Sequence, residues 1–312
     1  MPYIQGKVVF NKISFFIKIC TLISMKKIFL AFAFYMIASL AYADDLTANV
    51  SKKISEFASN LIPGEGHTEA SIQLRQNASP DFSILGVREI LPMDDGKIFT
   101  QFSLMNTEVN SGKGGDERLI GNLGLGARKL SDNNRLMFGI NNFYDYDIEN
   151  EHLRTSLGIE ARSAVLDFKV NRYYGLSDEY NEEQVLDGWD YELATQIPYL
   201  HWAKAFATGY EWEGVLREDV RGTKYGSEMQ ITPNLNFELA YDDKKKVGME
   251  DEWYSKIQFV HPGKEGPTAL DGVSNTAWKE NRDMSGELLS KVKRSNKIMI
   301  EFKGSSSISR TD

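Results

Sequence analysis

Cysteine is all but missing from this sequence: the one thiol, Cys20, lies within the first 43 residues. The remainder can hold no disulfide framework, no thiolate zinc cluster and no cysteine nucleophile. Histidine is scarce too, and His67, His152, His201 and His261 do not fall at metal-ligand spacing, so neither a metal nor a cofactor is expected. After residue 43 no apolar run reaches the roughly 20 residues that a bilayer-spanning helix needs. A basic excess is also missing. The 36 Lys and Arg face 44 Asp and Glu, a net charge of -8, and a nucleic-acid partner is not expected because neutralising phosphates needs a basic face.

What is present begins with an address. From Met25 the chain reads MKKIFLAFAFYMIASLAYA: two lysines, an apolar stretch from Ile28 to Leu40, then Ala41-Tyr42-Ala43. This is the build of a secretory signal peptide, with cleavage expected between Ala43 and Asp44. The signal is complete from Met25, which makes that residue a candidate start. The competing reading of residues 1–43 is an uncleaved anchor, but Lys18, Lys26 and Lys27 interrupt any long span. Over 44–66 a short amphipathic helix is expected, because Val50, Ile54, Phe57 and Leu61 recur at helical spacing before Pro63-Gly64.

From about Glu69 the period changes to two. In NNFYDYD and the residues before it, Leu136, Phe138, Ile140, Asn142, Tyr144 and Tyr146 share one strand face, and Met137, Gly139, Asn141, Phe143, Asp145 and Asp147 the other. The next segment sets Leu153, Thr155, Leu157, Ile159 and Ala161 against Arg154, Ser156, Gly158, Glu160 and Arg162. Leu166, Phe168 and Val170 oppose Asp167, Lys169 and Asn171, and Trp189, Tyr191, Leu193 and Ile197 oppose Asp190, Glu192 and Gln196. Leu235, Phe237, Leu239 and Tyr241 oppose Asn236, Glu238 and Asp242, and Trp253, Ile257 and Phe259 oppose Tyr254, Lys256 and Gln258. The pattern predicts about twelve segments of about ten residues, the length and alternation of tilted membrane strands. The segment 203–213 is the least clear, since both its faces carry apolar residues.

A soluble sandwich also alternates, but its strands usually run nearer five or six residues. Here tyrosines and tryptophans gather at strand ends, as rings do at a lipid headgroup boundary. The expected fold is all-β: a transmembrane antiparallel β-barrel over 67–262. Tyr144, Tyr146, Trp189, Tyr191, Tyr241 and Trp253 are expected at the membrane interface, and Asp145, Asp147, Arg154, Glu160, Arg162, Lys169 and Glu192 toward the lumen. In lipid every backbone group needs a partner within the protein, so the sheet must close.

The run Arg118 to Ser177 holds NLGLGAR, GINNFYDYD, HLRTSLGIEA and VNRYYGLS, and DGWDYELATQIPYL, GYEW and VKRSNKIMIEFKG follow it. In these pieces and their order the chain resembles the β-domain of the inverse autotransporters, the intimin and invasin group, over about 69–304. The resemblance implies a 12-stranded barrel in the outer membrane of a Gram-negative bacterium. It also implies a C-terminal linker over 263–304 that threads the pore, including Val292, Arg294, Asn296, Ile298 and Ile300. Outer-membrane lipid and the export and barrel-assembly machinery are the implied partners, and a host or neighbouring cell surface is a further candidate. Family passengers are immunoglobulin-like, whereas only SSSISRTD follows the linker-like segment here, so a translocator without its passenger is expected.

Asp145, Asp147, Glu149, Glu151 and His152 crowd one strand end, where carboxylates beside an imidazole could activate water; a hydrated network is the blander reading, and no enzyme is expected. Gly121, Gly124 and Gly126 invite a phosphate loop but lack its lysine and helix, so a close backbone approach inside the barrel is expected. Over 277–300, ELLSKVKR is read as a helix and NKIMIEF as extended. An open pore for small solutes and adhesion through the loops Asn106 to Glu117 or Leu176 to Asp187 remain the alternatives.

Overall fold

The computed structural model describes residues 63–302 apart from 77, 111–114 and 246–250. The signal segment and residues 44–62 of the expected amphipathic helix lie outside the described residues; 63–65 bend directly into a strand.

Twelve antiparallel strands close into a barrel. They are β1 (Gly66–Arg75), β2 (Ala78–Met93), β3 (Gly96–Asn110), β4 (Gly115–Leu130), β5 (Leu136–Asp147), β6 (Leu153–Ser163) and β7 (Leu166–Gly175). After a short β8 (Glu183–Val185), the ring continues with β9 (Gly188–Ile197), β10 (Leu200–Trp212), β11 (Val220–Thr232), β12 (Leu235–Lys244) and β13 (Glu252–His261). β13 pairs back onto β1, from Thr68 opposite His261 to Arg75 opposite Tyr254, so the ring has no free edge. β8 stands apart and pairs with β14 (Ile300–Phe302).

Alternation decides which side chains enter the ring. In β5 the even-numbered residues Leu136, Phe138, Ile140, Tyr144 and Tyr146 are exposed, and the odd-numbered ones are buried, Asp145 and Asp147 among them. Register then sets opposite charges across neighbouring strands: Asp145 faces Arg154, Arg162 faces Asp167, and Lys169 faces Glu160 and Glu192. Such directly opposed pairs favour this register, and a one-residue slip of a strand would carry its charges to the lipid face.

Three features differ from the sequence expectation. β2, β3 and β4 run 16, 15 and 16 residues, well beyond ten. At the start of β12, Leu235 and Phe237 are buried together with Asn236, so the two faces are not cleanly divided there. ELLSKVKR forms no helix beyond the 3-10 turn Ser285–Glu287. Its backbone is claimed by the barrel wall: Arg128 Nη1 donates to the carbonyls of Glu287, Leu288 and Ser290, and the Gln101 side chain accepts the Val292 N–H at 2.7 Å. These bonds replace those an α-helix would make within itself.

The two rims differ. One carries Gly66, His261 and the connections 94–95, 131–135, 164–165, 198–199 and 233–234; it is the short-turn rim. The other carries 176–187, 213–219 and 245–251 among its connections and is the long-loop rim. From Leu136 to Tyr146 the exposed face of β5 spans ten residue steps, which at ~3.4 Å each and a tilt near 40° makes roughly 26 Å of height, the height of an outer-membrane apolar band.

Candidate functional site

The inward faces of β4 to β7 build the centre of the site. Arg154 Nε donates to Asp145 Oδ2 at 2.9 Å, and Asn122 Nδ2 donates to Oδ1 at 2.6 Å. Arg294, from the segment after β13, grips the same carboxylate with both terminal nitrogens, at 2.8 and 2.6 Å. All three charged side chains are sealed from solvent. Burying charges is costly, and here two guanidiniums and an amide satisfy one carboxylate. The guanidinium faces find rings: Arg294 lies 4.4 Å from the Phe143 centroid, and Arg154 lies 4.5 Å from that of Tyr173. Tyr173 in turn donates to Asp190 at 2.6 Å and accepts the Ser295 N–H at 2.8 Å.

Residues 284–302 meet inward-facing side chains in an order that moves from one rim to the other. Met284 N donates to Asn134 O at the short-turn rim. Met284 and Leu288 pack with Leu130 and Met137, while Glu287 pairs with Arg162 at 2.9 Å. Lys291 pairs with Glu69 at 2.8 Å and Lys293 with Glu228 at 2.6 Å, on the opposite arc of the wall. Val292 packs among Leu85, Val87, Phe99 and Phe143, and Ile298 among Ile120 and Val185. Asn296 accepts from Asn122 Nδ2 through its carbonyl, at 3.1 Å. At the long-loop rim Ile300 pairs with Val185, and Glu301 Oε2 accepts the Val215 and Leu216 N–H groups at 2.9 and 2.8 Å.

A second charge cluster fastens β8 to the wall. Arg118 donates to both Glu183 oxygens, at 2.8 and 2.5 Å, and to Asp147 at 3.1 Å, while His152 Nε2 lies 2.9 Å from Glu183. Burial works to raise the Glu183 carboxyl, but the Arg118 and His152 contacts outweigh it and hold the group below the ordinary carboxylate range. Beyond the strands, Asp251 is likewise held low by the Tyr241 hydroxyl, 2.7 Å away, and by the Lys244 N–H.

The acids near Asp145 do not converge on one site. Asp145 is taken by arginines, Asp147 by Arg118 and by the N–H groups of Glu149 and Asn150, and His152 by Glu183, while Glu149 and Glu151 are exposed. Among the other residues singled out from sequence, Glu160 accepts from Arg128 at 2.7 Å, and Lys169 lies 3.3 Å from Glu192. Tyr144, Tyr146 and Tyr191 are exposed, and Trp189, Tyr241 and Trp253 half-buried, all on outward faces near the long-loop rim. Trp189 stacks on Tyr191 at 5.5 Å, and Tyr241 meets Trp253 at 5.1 Å.

The sequence reading missed Arg118, Asn122 and Arg128 on β4, Tyr173, Glu183, and the wall carboxylates Glu69 and Glu228. Strand parity could have found the β4 trio, which shares a face with Gly124 and Gly126. Those glycines are needed there: a Cβ on Gly124 would lie 2.3 Å from the Phe143 ring, and one on Gly126 2.3 Å from Phe99. Gly121 meets nothing closer than 4.0 Å, so the close approach expected of it does not occur.

A closed, even-stranded barrel with a greasy outside and a charged inside defines a transmembrane β-barrel of the Gram-negative outer membrane, in contact with its lipid. The family model "Inverse autotransporter, beta-domain" matches residues 38–296, and the chain belongs to that family. Among curated relatives, the inverse autotransporter adhesin YeeJ of Escherichia coli K12 is 23% identical over 224 residues, 67% of this chain and 9% of that protein. A putative attaching and effacing protein homolog from the same organism is 26% identical over 164 residues, 49% of this chain and 50% of that protein. The chain therefore spans at most half the length of these two relatives. A chain solved in work on the in-meso crystallization of membrane proteins superposes with a TM-score of 0.60 at 19% identity, covering 76% of this chain and all of that one, which shows a shared fold.

Proposed function

We propose that this chain is the membrane anchor and translocator of an inverse autotransporter, with residues 284–302 serving as the linker that occupies the pore. The observation that carries this reading is the rim-to-rim order of contacts, from Met284 on Asn134 to Glu301 on the 213–219 loop. A tail lying on the outside could not pair Lys291 with Glu69 on β1 and Arg294 with Asp145 on β5.

On this reading the short-turn rim faces the periplasm, as short turns do in bacterial outer-membrane barrels, and the linker leads outward through the pore to the long-loop rim. The barrel performs no chemistry, because the carboxylate best placed for it, Asp145, is sealed between Arg154 and Arg294. Insertion requires the general export and barrel-assembly machinery, and any contact with a host or neighbouring cell would be made at the long-loop rim.

The test is single-channel conductance in planar bilayers of the chain from Asp44, beside the same chain ending at Val273. A silent full chain and a conducting short one support the linker reading. Equal conductance would replace it with an open pore for small solutes.

A further inference from the structure

We infer that the short-turn rim carries a binding notch for the headgroup of a zwitterionic, amine-bearing phospholipid such as phosphatidylethanolamine. A cavity of about 300 Å³ opens there, lined by Arg135, Leu136, Ser163, Ala164, Val165, Trp278 and Glu280. That volume matches the smaller end of small-ligand sites, roughly 300–1,000 Å³.

Three elements make the notch. The β4/β5 turn brings Arg135, and the β6/β7 turn brings Ala164 and Val165. The third wall is the segment that leaves β13 and runs along the rim before reaching Met284. It is pinned by Tyr199 N on Ala277 O at 3.0 Å, by Lys279 N on the Gln196 side chain at 2.9 Å, and by Met284 N on Asn134 O at 2.9 Å. Trp278 and Glu280 are thereby held at the mouth, and both are exposed.

The position and the chemistry point to the same ligand. Leu136 begins the exposed apolar face of β5, so the notch sits where the hydrocarbon band meets the headgroups. Within one cavity lie a cation, an anion and an indole above an apolar floor, while the Ser163 hydroxyl is held by its own turn. Neither Arg135 nor Glu280 has an ion-pair partner among the described residues. A phosphate suits the Arg135 fork, an ammonium suits Glu280 and the face of Trp278, and the acyl chains would lie along Leu136 and Phe138. A purely anionic lipid would meet Glu280 without an ammonium to offset it. The same chemistry holds whether the pore is filled or open.

The test is native mass spectrometry of the delipidated, refolded chain titrated with phosphatidylethanolamine or with phosphatidylglycerol of identical acyl chains. One phosphatidylethanolamine should be retained about tenfold more tightly than phosphatidylglycerol, and Glu280→Gln should abolish that preference. Arg135→Gln should weaken both lipids, since both carry the phosphate. Each variant's fold is checked by its heat-dependent gel migration, and the wild-type comparison between lipids needs no variant. Equal retention of the two lipids by the wild type, or an unchanged preference in folded Glu280→Gln, overturns the inference.

Discussion

Arg294 closes on Asp145 with two hydrogen bonds, of 2.8 and 2.6 Å, although 149 residues separate them along the chain. The pair joins the last segment to the middle of the wall, and Arg154 shares its carboxylate. Removing the acid should therefore cost more than removing one arginine. Asp145→Asn is expected to lower stability by about 3–5 kcal/mol, because two buried guanidiniums lose their counter-charge, and Arg294→Met by clearly less. Urea midpoints of the refolded variants check the order, and a larger loss for Arg294→Met would contradict it.

The contact between β4 and β5 near Phe143 leaves no room for a side chain. Gly124→Val should destabilise the barrel by about 1–3 kcal/mol, since the new atoms enter the Phe143 ring. Gly121→Ala, where nothing lies within 4 Å except one carbonyl at 4.0 Å, should be close to neutral. Heat-dependent gel migration of the two variants separates them.

Ile298 is buried among Ile120 and Val185 near the long-loop rim. Ile298→Asp places an unpaired charge in that cluster and should loosen the end of the linker. Bursts of conductance in an otherwise quiet chain are the expected signature, and a channel as silent as the wild type would count against the linker reading.

Glu183 gives the β8–β14 pairing a pH limit. Its folded-state value lies below the ordinary carboxylate value of about 4.3, so its contribution is complete above that pH and fades as pH falls through the lower folded value. Protection of the Leu186 amide, which donates to Met299 O in this pairing, against hydrogen exchange relative to a free amide should hold from pH 7 to about 5 and fall only in stronger acid. Glu183→Gln should lose that protection at all these pH values, because Arg118 then keeps only Asp147 and the carboxylate that ties β8 to the wall is gone.

Much of the barrel could be read from the chain because period two is a local property. Leu136 to Tyr146 declare an apolar face without reference to any other strand, and Asp145, Arg154 and Glu160 fall on the opposite face by parity alone. The reading failed where neighbours far along the chain decide the conformation. ELLSKVKR carries helical spacing, yet Arg128 and Gln101 take its backbone groups and draw it out. Leu235 and Phe237 have the parity of a lipid face, yet they are buried.

The sequence by itself determined the closed, even-stranded membrane barrel, because alternation and the need to pair every backbone group in lipid leave few other solutions. Only the tertiary structure decided which charge meets which. Lys291, Lys293 and Arg294 are three cations within four residues of one segment, and their partners Glu69, Glu228 and Asp145 come from three separate strands. Those partners are set by barrel curvature and register, which no local pattern records.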